Sequence, residues 1–276
     1  MMGARLRRFS PARALAAGWV AGVAIFLVFP TAIVALTALG GEPYVVFPPR
    51  SFTLRHFAEI PGVYLDVFAT SLELALVASV VSTVLAVPAA LALVRGRLVG
   101  RGLVAAVLNA PLHVPWLVVG VAFLQFYAAI FDAAGVALGG TFLGLALAHV
   151  AVTAPYVLTS VTARLASFDE RLEEAAYGLG AGRIRTFFVI TLPIVKPAVL
   201  AGAFFAFVVS FDNVGVSLFI FGASNTPLPV QIYGEITQHL THVMYAVSTA
   251  TAVFSVLLTL AFAGFGGMRA ITGQEG

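Results

Sequence analysis

Glu174-Ala175-Ala176-Tyr177-Gly178-Leu179-Gly180, followed after nine residues by Ile190-Thr191-Leu192-Pro193, is the stretch on which the reading of this chain turns. It lies in a polar segment, Arg164 to Val195, between two long apolar runs. Around it the 276 residues are 61% hydrophobic and 10% charged, where soluble domains carry about 25% charged residues. A chain this short cannot bury so much apolar surface in a water-soluble core, so lipid must solvate much of it.

The polar segment reads as two short helices. Ser167-Phe168-Asp169-Glu170 has the pattern of a capping box, with Ser167 accepting from the Glu170 amide and the Glu170 carboxylate reaching back. Asp169, Glu170, Glu173 and Glu174 then stand near the positive end of the helix dipole. Leu172, Ala175, Ala176 and Leu179 recur at helical spacing and make a flat apolar face. Gly178, Gly180 and Gly182 stop this helix, and a second one is expected from Arg183 to Leu192, ending before Pro193. An amphipathic helix of small residues, exposed between spans, suits insertion into a groove on a soluble partner. The alternative is a solvated connector on the membrane surface.

Six runs are long enough to span a bilayer, which takes roughly 20 residues each: 17–39, 67–94, 103–129, 141–163, 196–221 and 244–267. If they alternate, 13 of the 15 basic residues fall on one side, from Arg5 and Arg13 before the first run to Arg269 after the last. Only Arg50 and Arg55 fall on the other. By the positive-inside rule both termini are cytoplasmic. The first run is about twice the length of a signal-peptide core, which points to an uncleaved anchor. The basic residues form no nucleic-acid footprint, and with no Cys there is no thiol chemistry and no disulfide. The only lysine, Lys196, precedes Pro197 and belongs to no G-x4-G-K-S/T loop, so the chain is not itself an ATPase. No set of side chains has the spacing of a catalytic triad or carboxylate pair, and the chain is not read as an enzyme. The five histidines, at 56, 113, 149, 239 and 242, lack metal-ligand spacing and read as packing or loop residues.

Within the runs, two features stand out. Pro111 and Pro115, with Asn109, His113 and Trp116 nearby, weaken the third run, and proline inside a span is tolerated where neighbouring helices satisfy the freed carbonyls. Asp212 puts an acid at membrane depth in the fifth run, which costs a few kcal/mol and normally marks a cavity or a partner; capping of a kink near Gly215 is the alternative. No Lys or Arg falls in the middle of a run. Asp212 thus favours passage of a cation, with Ser210, Asn213 and Ser217 offering neutral hydrogen bonds and Trp116 beside them.

The spacing E-A-A-x3-G-x9-I-x-L-P across Glu174 to Pro193 resembles the cytoplasmic loop of permease subunits of binding-protein-dependent ABC importers. Pro111, Pro115 and Gly120 also match a looser P-x3-P-x4-G pattern of their third core helix. The resemblance implies an all-α polytopic membrane protein with six transmembrane helices in the type I importer permease fold. It implies a tail over 1–16, a first helix and external loop over 17–64, a core over 65–267 with its coupling loop at 164–195, and a tail over 268–276. It further implies that Glu173, Glu174, Ala175, Ala176, Gly180, Ile190, Leu192 and Pro193 dock an ATP-binding subunit. Other expected partners are a second ATP-binding copy, a second permease that is a homologous different chain, an external substrate-binding protein and the lipid of a bacterial inner membrane. No nucleic acid is expected. No cofactor is expected in this chain, since ATP and Mg belong to the partner ATPase. The second span departs from the family, with Thr70-Ser71 and Val87-Pro88 where relatives have Asn-Ser and a midway Gly.

A second resemblance concerns cargo. Ser210-Phe211-Asp212-Asn213, Ser217-Leu218-Phe219 and Thr226-Pro227-Leu228-Pro229 are similar to the S-F-D-D/N, S-x-F and T-L-P elements of spermidine/putrescine-type permeases, with Pro227 interrupting the last. Permeases for aminophosphonates, ferric iron and thiamine share parts of it. An autonomous secondary transporter would favour an internal repeat and more intramembrane charge, which the sequence lacks.

Overall fold

In a computed structural model of the chain, residues 11–238 and 240–264 are described. Arg5, Arg7, Arg8, His239, Arg269 and the 268–276 tail lie outside them. Among the described residues the secondary structure is helical, apart from an isolated bridge between Gly40 and Phe52. Six helices are long and apolar enough to cross a membrane.

The described residues fall into two compact units, one up to Ile60 together with Glu235–Phe254, the other Pro61–Gly234 together with Ser255 onward. The first holds α1 (Pro11–Ala38), a loop with the single-turn α2 (Arg55–Ala58), and the start of α12 (His242–Phe262). From Leu15 the side chains of α1 are almost all exposed up to Thr31, as expected of a helix whose solvent is lipid.

The second unit is built on α3 (Val63–Arg95), α6 (Phe142–Ala166) and α9 (Leu192–Phe211). Association of helices in lipid gains little from apolar burial, so close approach and hydrogen bonds carry it. Small residues supply the approach: Ala75, Ala78, Ala86, Ala90, Ala201 and Ala206 are all buried. Gly202 lies so near α6 that a Cβ there would stand 2.8 Å from Val157 Cα. Ser79 donates to the Ala203 carbonyl at 2.7 Å, and Ser160 to the Ala198 carbonyl at 2.8 Å. Such bonds contribute about 0.6 kcal/mol each in a bilayer. With 33 residues, α3 runs for about 50 Å, well beyond a hydrocarbon layer of about 30 Å. Its end therefore carries Arg95 into the polar loop.

Two of the expected spans are corrected. The run 103–129 is broken: α4 (Arg101–Asn109) and a 3-10 turn (Ala110–Leu112) end before Pro115, whose extended ψ of 131° starts α5 (Trp116–Ala134). Only α5 is long enough to span. The fifth run starts earlier and ends earlier than 196–221. A continuous helical path begins with α8 (Arg183–Thr186), passes through a π turn (Phe187–Thr191), enters α9 and stops at Phe211. Pro193 does not end a helix, because it stands in the first turn of α9, where no amide donor is required. Beyond the stop, residues 212–216 are irregular, α10 (Ser217–Ile220) is one turn, and α11 (Leu228–Ile236) follows.

Candidate functional site

The polar loop carries α7 (Arg171–Gly178), and it is not capped as its sequence implied. Ser167 closes α6 instead, its hydroxyl donating to the Arg164 carbonyl at 2.9 Å. Asp169 Oδ1 takes the Arg171 amide at 3.0 Å. Glu170 is drawn away from the backbone by the guanidinium of Arg95. A charge-assisted partner outcompetes an amide, which is why the box does not form.

Arg95 is the centre of this arrangement. Nη1 donates to Glu170, Nε donates to Glu173 Oε2 at 3.1 Å, and the guanidinium carbon lies 5.4 Å from the centroid of the Phe168 ring. Glu173 is 9% exposed, and its other oxygen accepts from Thr191 Oγ1 at 2.5 Å. One carboxylate therefore joins α7, the end of α3 and the π turn that leads into α9. Beside it is a cavity of about 360 Å³ lined by Leu91, Arg95, Glu173, Tyr177, Arg183 and Phe187 among others.

The end of α7 is a Schellman motif. The Ala181 amide donates to the Ala176 carbonyl at 3.0 Å, the Gly180 amide to the Tyr177 carbonyl at 2.9 Å, and Gly180 has φ +86°. A side chain at Gly180 would meet nothing within 4 Å, so its constraint is conformational, not steric. The same turn leaves Leu179 91% exposed.

The expected docking residues thus divide. Glu174, Ala175, Gly180 and Pro193 are exposed. Glu173 and Ala176 face inward and are buried, so the apolar face is not the one made by Ala175 with Ala176. Ile190 and Leu192 are half-buried, and Leu192 packs against the core of α3, α6 and α9. Arg95 and Thr191 were missed by sequence reasoning. Arg95 reads only as one more basic residue at a span end, although its position at the last turn of α3, with an acidic loop to follow, was the available signal.

The pathway residues divide as well. Asp212 is exposed at the C-terminal end of α9, where the helix dipole is negative, and its carboxylate meets no hydrogen-bonding or ionic partner among the described residues. Trp116 is 37% exposed. Trp116 packs on the irregular stretch, since a Cβ on Gly215 would stand 2.9 Å from Trp116 Cβ. Ser210, Asn213 and Ser217 are buried and belong to an internal network.

That network is centred on His149 of α6, which is 0% exposed. Nδ1 lies 2.7 Å from Ser210 Oγ and Nε2 lies 2.8 Å from Ser217 Oγ, so one imidazole brackets the break between α9 and α10. Hydrogen counting assigns the tautomer. Ser217 donates its single proton to the Asn213 carbonyl at 2.8 Å, so Nε2 must donate to Ser217 and Nδ1 must accept from Ser210. Asn213 Oδ1 meanwhile accepts the Val216 amide at 2.9 Å and caps the start of α10.

Residues 66–267 match the family model described as binding-protein-dependent transport system inner membrane component. The putrescine transport system permease protein PotI of Escherichia coli K12 is 34% identical over 180 residues, covering 65% of this chain and 64% of PotI. The spermidine/putrescine transport system permease protein PotC of Haemophilus influenzae is 35% identical over 190 residues, covering 69% of this chain and 72% of PotC. In fold, the chain resembles a crystal structure of a bacterial ABC transporter involved in import of the acidic polysaccharide alginate, with TM-score 0.68 and 15% identity over 95% of this chain and 98% of that one. The family match over residues 66–267 covers most of the chain, which therefore belongs to the inner membrane components of binding-protein-dependent transport systems.

Proposed function

We propose that the chain is a non-catalytic permease subunit of an ATP-driven importer and forms half of a passage for a polyamine-like cation. The observation that carries the coupling is the two-sided build of α7. Its inner side is clamped through Glu173 to Arg95 and Thr191, while Glu174, Ala175 and Leu179 stay exposed. A helix held firmly on one side and exposed on the other is suited to transmit force from a soluble partner. That partner is a separate ATP-binding subunit, present in two copies and supplying the ATP and Mg. A second permease completes the passage and an external binding protein delivers cargo. Both termini are cytoplasmic, in keeping with the segregation of basic residues.

The cargo reading rests on Asp212 and on the names of the relatives. An exposed carboxylate at the negative end of a helix, with no cation beside it, is stabilised by a passing cation. A passage must not hold its cargo tightly, so selectivity resides mainly in the external binding protein. Uptake of radiolabelled putrescine and spermidine into proteoliposomes holding the assembled transporter is the test. Asp212→Asn preserves size and hydrogen bonding, and is expected to cut uptake about tenfold while stimulated ATP hydrolysis survives, a loss equivalent to about 1.4 kcal/mol. Normal uptake by the variant would remove the cation argument.

A further inference from the structure

A second polar site lies in the first compact unit, where the loop after α1 meets the start of α12. It is a cavity of about 570 Å³, lined by Glu42, Arg55, His56, Glu59, Thr241 and His242 among others. Its charged groups do not cancel. Arg55 Nε is taken by Glu59 Oε1 at 2.5 Å, which leaves the Glu42 carboxylate without a cation. Desolvation opposes ionisation of Glu42, but the backbone amides of Arg50 and Ser51, each donating to Oε1 at 2.8 Å, hold its carboxyl below the usual range.

All of that donation falls on one oxygen, with the Ser51 hydroxyl adding a third bond to Oε1 at 3.2 Å. Glu42 Oε2 is buried and has no hydrogen-bond partner among the described residues. The same is true of Nε2 of His242, a side chain that is 5% exposed. These two atoms converge. A Cβ built on Gly40 would stand 2.9 Å from His242 Nε2 and 3.3 Å from Glu42 Oε2. Neighbouring groups cannot supply the missing donor. His56 gives its Nε2 proton to the Gly40 carbonyl at 3.0 Å, and its Nδ1 faces Glu59 Oε2 at 3.4 Å. His242 itself is held in place by stacking on His56, with ring centroids 4.8 Å apart.

A buried carboxylate oxygen and an imidazole nitrogen aimed at one point need a donor between them, and leaving them unmet is costly. A cation with several N–H groups satisfies both at once. A metal ion fits less well, since among the described residues no three His, Asp or Glu groups converge as ligands. The geometry points to a binding site for a primary ammonium group, accepted by Glu42 Oε2 and His242 Nε2. This site is remote in sequence from Asp212 and is independent of which cargo the chain carries. The ammonium has two possible sources, a free amine or a lysine side chain of the external binding protein.

The test uses the full chain, assembled with its partner subunits in nanodiscs, with a dye on a cysteine placed at exposed Tyr44 of this Cys-free protein. Methylammonium is the probe. Tetramethylammonium, which has the charge but no N–H, is the control. Methylammonium is expected to give a saturable signal and tetramethylammonium none. Glu42→Gln keeps an acceptor for the Arg50 and Ser51 amides and puts an NH2 where Oε2 stood, so it folds and satisfies His242 by itself. Gly40→Ala puts a methyl at the meeting point and blocks the site by bulk, and Gly40 does not need positive φ. Each is expected to weaken methylammonium about tenfold or more. Displacement of the docked, cargo-free binding protein by saturating methylammonium assigns the site to a lysine of that protein. Saturation without displacement assigns it to a free amine. No saturable signal, an equal signal from tetramethylammonium, or full response in both variants overturns the site. Uptake is not read in any arm, so these outcomes leave the proposed cargo untouched.

Discussion

Thr191 donates to Glu173 at 2.5 Å across 18 residues of chain, and so ties the short exposed helix α7 to the π turn at the root of α9. Arg95 takes the other oxygen of the same carboxylate. A displacement of α7 is thereby felt at the end of α3 and at the start of α9 together. π turns recur at functional positions in helices, and here one receives the side-chain tether directly.

The adjacent glutamates should therefore behave oppositely. Glu173→Ala leaves Thr191 without its acceptor and Arg95 with Glu170 alone. Stripping one member of a buried pair costs about 3–5 kcal/mol. The remaining, largely exposed Glu170 reduces the expected loss to roughly 1–3 kcal/mol. The variant should melt lower in detergent and accumulate less in the membrane. Glu174→Lys touches only an exposed position and should leave the melting temperature unchanged, while abolishing stimulated ATP hydrolysis and uptake. Equal melting temperatures for the two variants would show that the clamp is not structural.

Gly180 is fixed by backbone geometry, with open space around it. Gly180→Ala forces a left-handed conformation on a residue with a Cβ, which costs about 1–2 kcal/mol. The Schellman turn should loosen and shift Leu179, the most exposed side chain of the docking edge. Uptake should fall severalfold while the chain still inserts, and a wild-type ATPase response would mean that the turn has no part in coupling.

Much of this architecture is legible in the sequence, because hydropathy over twenty residues and the glycine stop after α7 are local signals. The rest is not, for identifiable reasons. Arg95 and Glu173 are separated by 78 residues, and nothing local marks them as partners. The π turn at Phe187–Thr191 has an ordinary apolar composition. The stop at Phe211 is masked by the run of Val, Leu and Phe that continues beyond it, and depends on Asn213 capping the next turn. Pro111 and Pro115 do mark the third run as weak, but they break the helix outright instead of bending it. His149 reads as a packing residue and is packed; its two serine partners become visible only in three dimensions.

Topology is open to direct measurement because the chain has no Cys. Ala175 and Ser224 are both exposed and belong to opposite sides of the proposed arrangement. Gly222 would be a poor choice, since a Cβ there would stand 2.1 Å from the Gly140 carbonyl oxygen. In intact cells an impermeant maleimide should label Ser224→Cys and spare Ala175→Cys. Labelling of Ala175→Cys from outside would invert the orientation and remove the docking proposal with it.

The bracket at His149 makes a prediction that separates packing from hydrogen bonding. His149→Phe preserves a planar ring but removes both nitrogens. Ser217 keeps its bond to the Asn213 carbonyl, whereas Ser210 loses its acceptor, so the cost should be about 1–3 kcal/mol. His149→Gln offers an amide N–H for Ser217 and an amide oxygen for Ser210, and should recover part of that loss. If the bracket holds the ends of the break in register, uptake should follow the same order, wild type above Gln above Phe. The measurement is melting temperature alongside putrescine uptake for both variants and for Ser210→Ala. Ser210→Ala alone should reproduce most of the Phe defect, because it removes the same bond from the other side. A Phe variant that melts and transports like wild type would reduce His149 to a space-filling residue, and the break between α9 and α10 would have to be held by Asn213 and by the close contact of Gly215 with Trp116 alone.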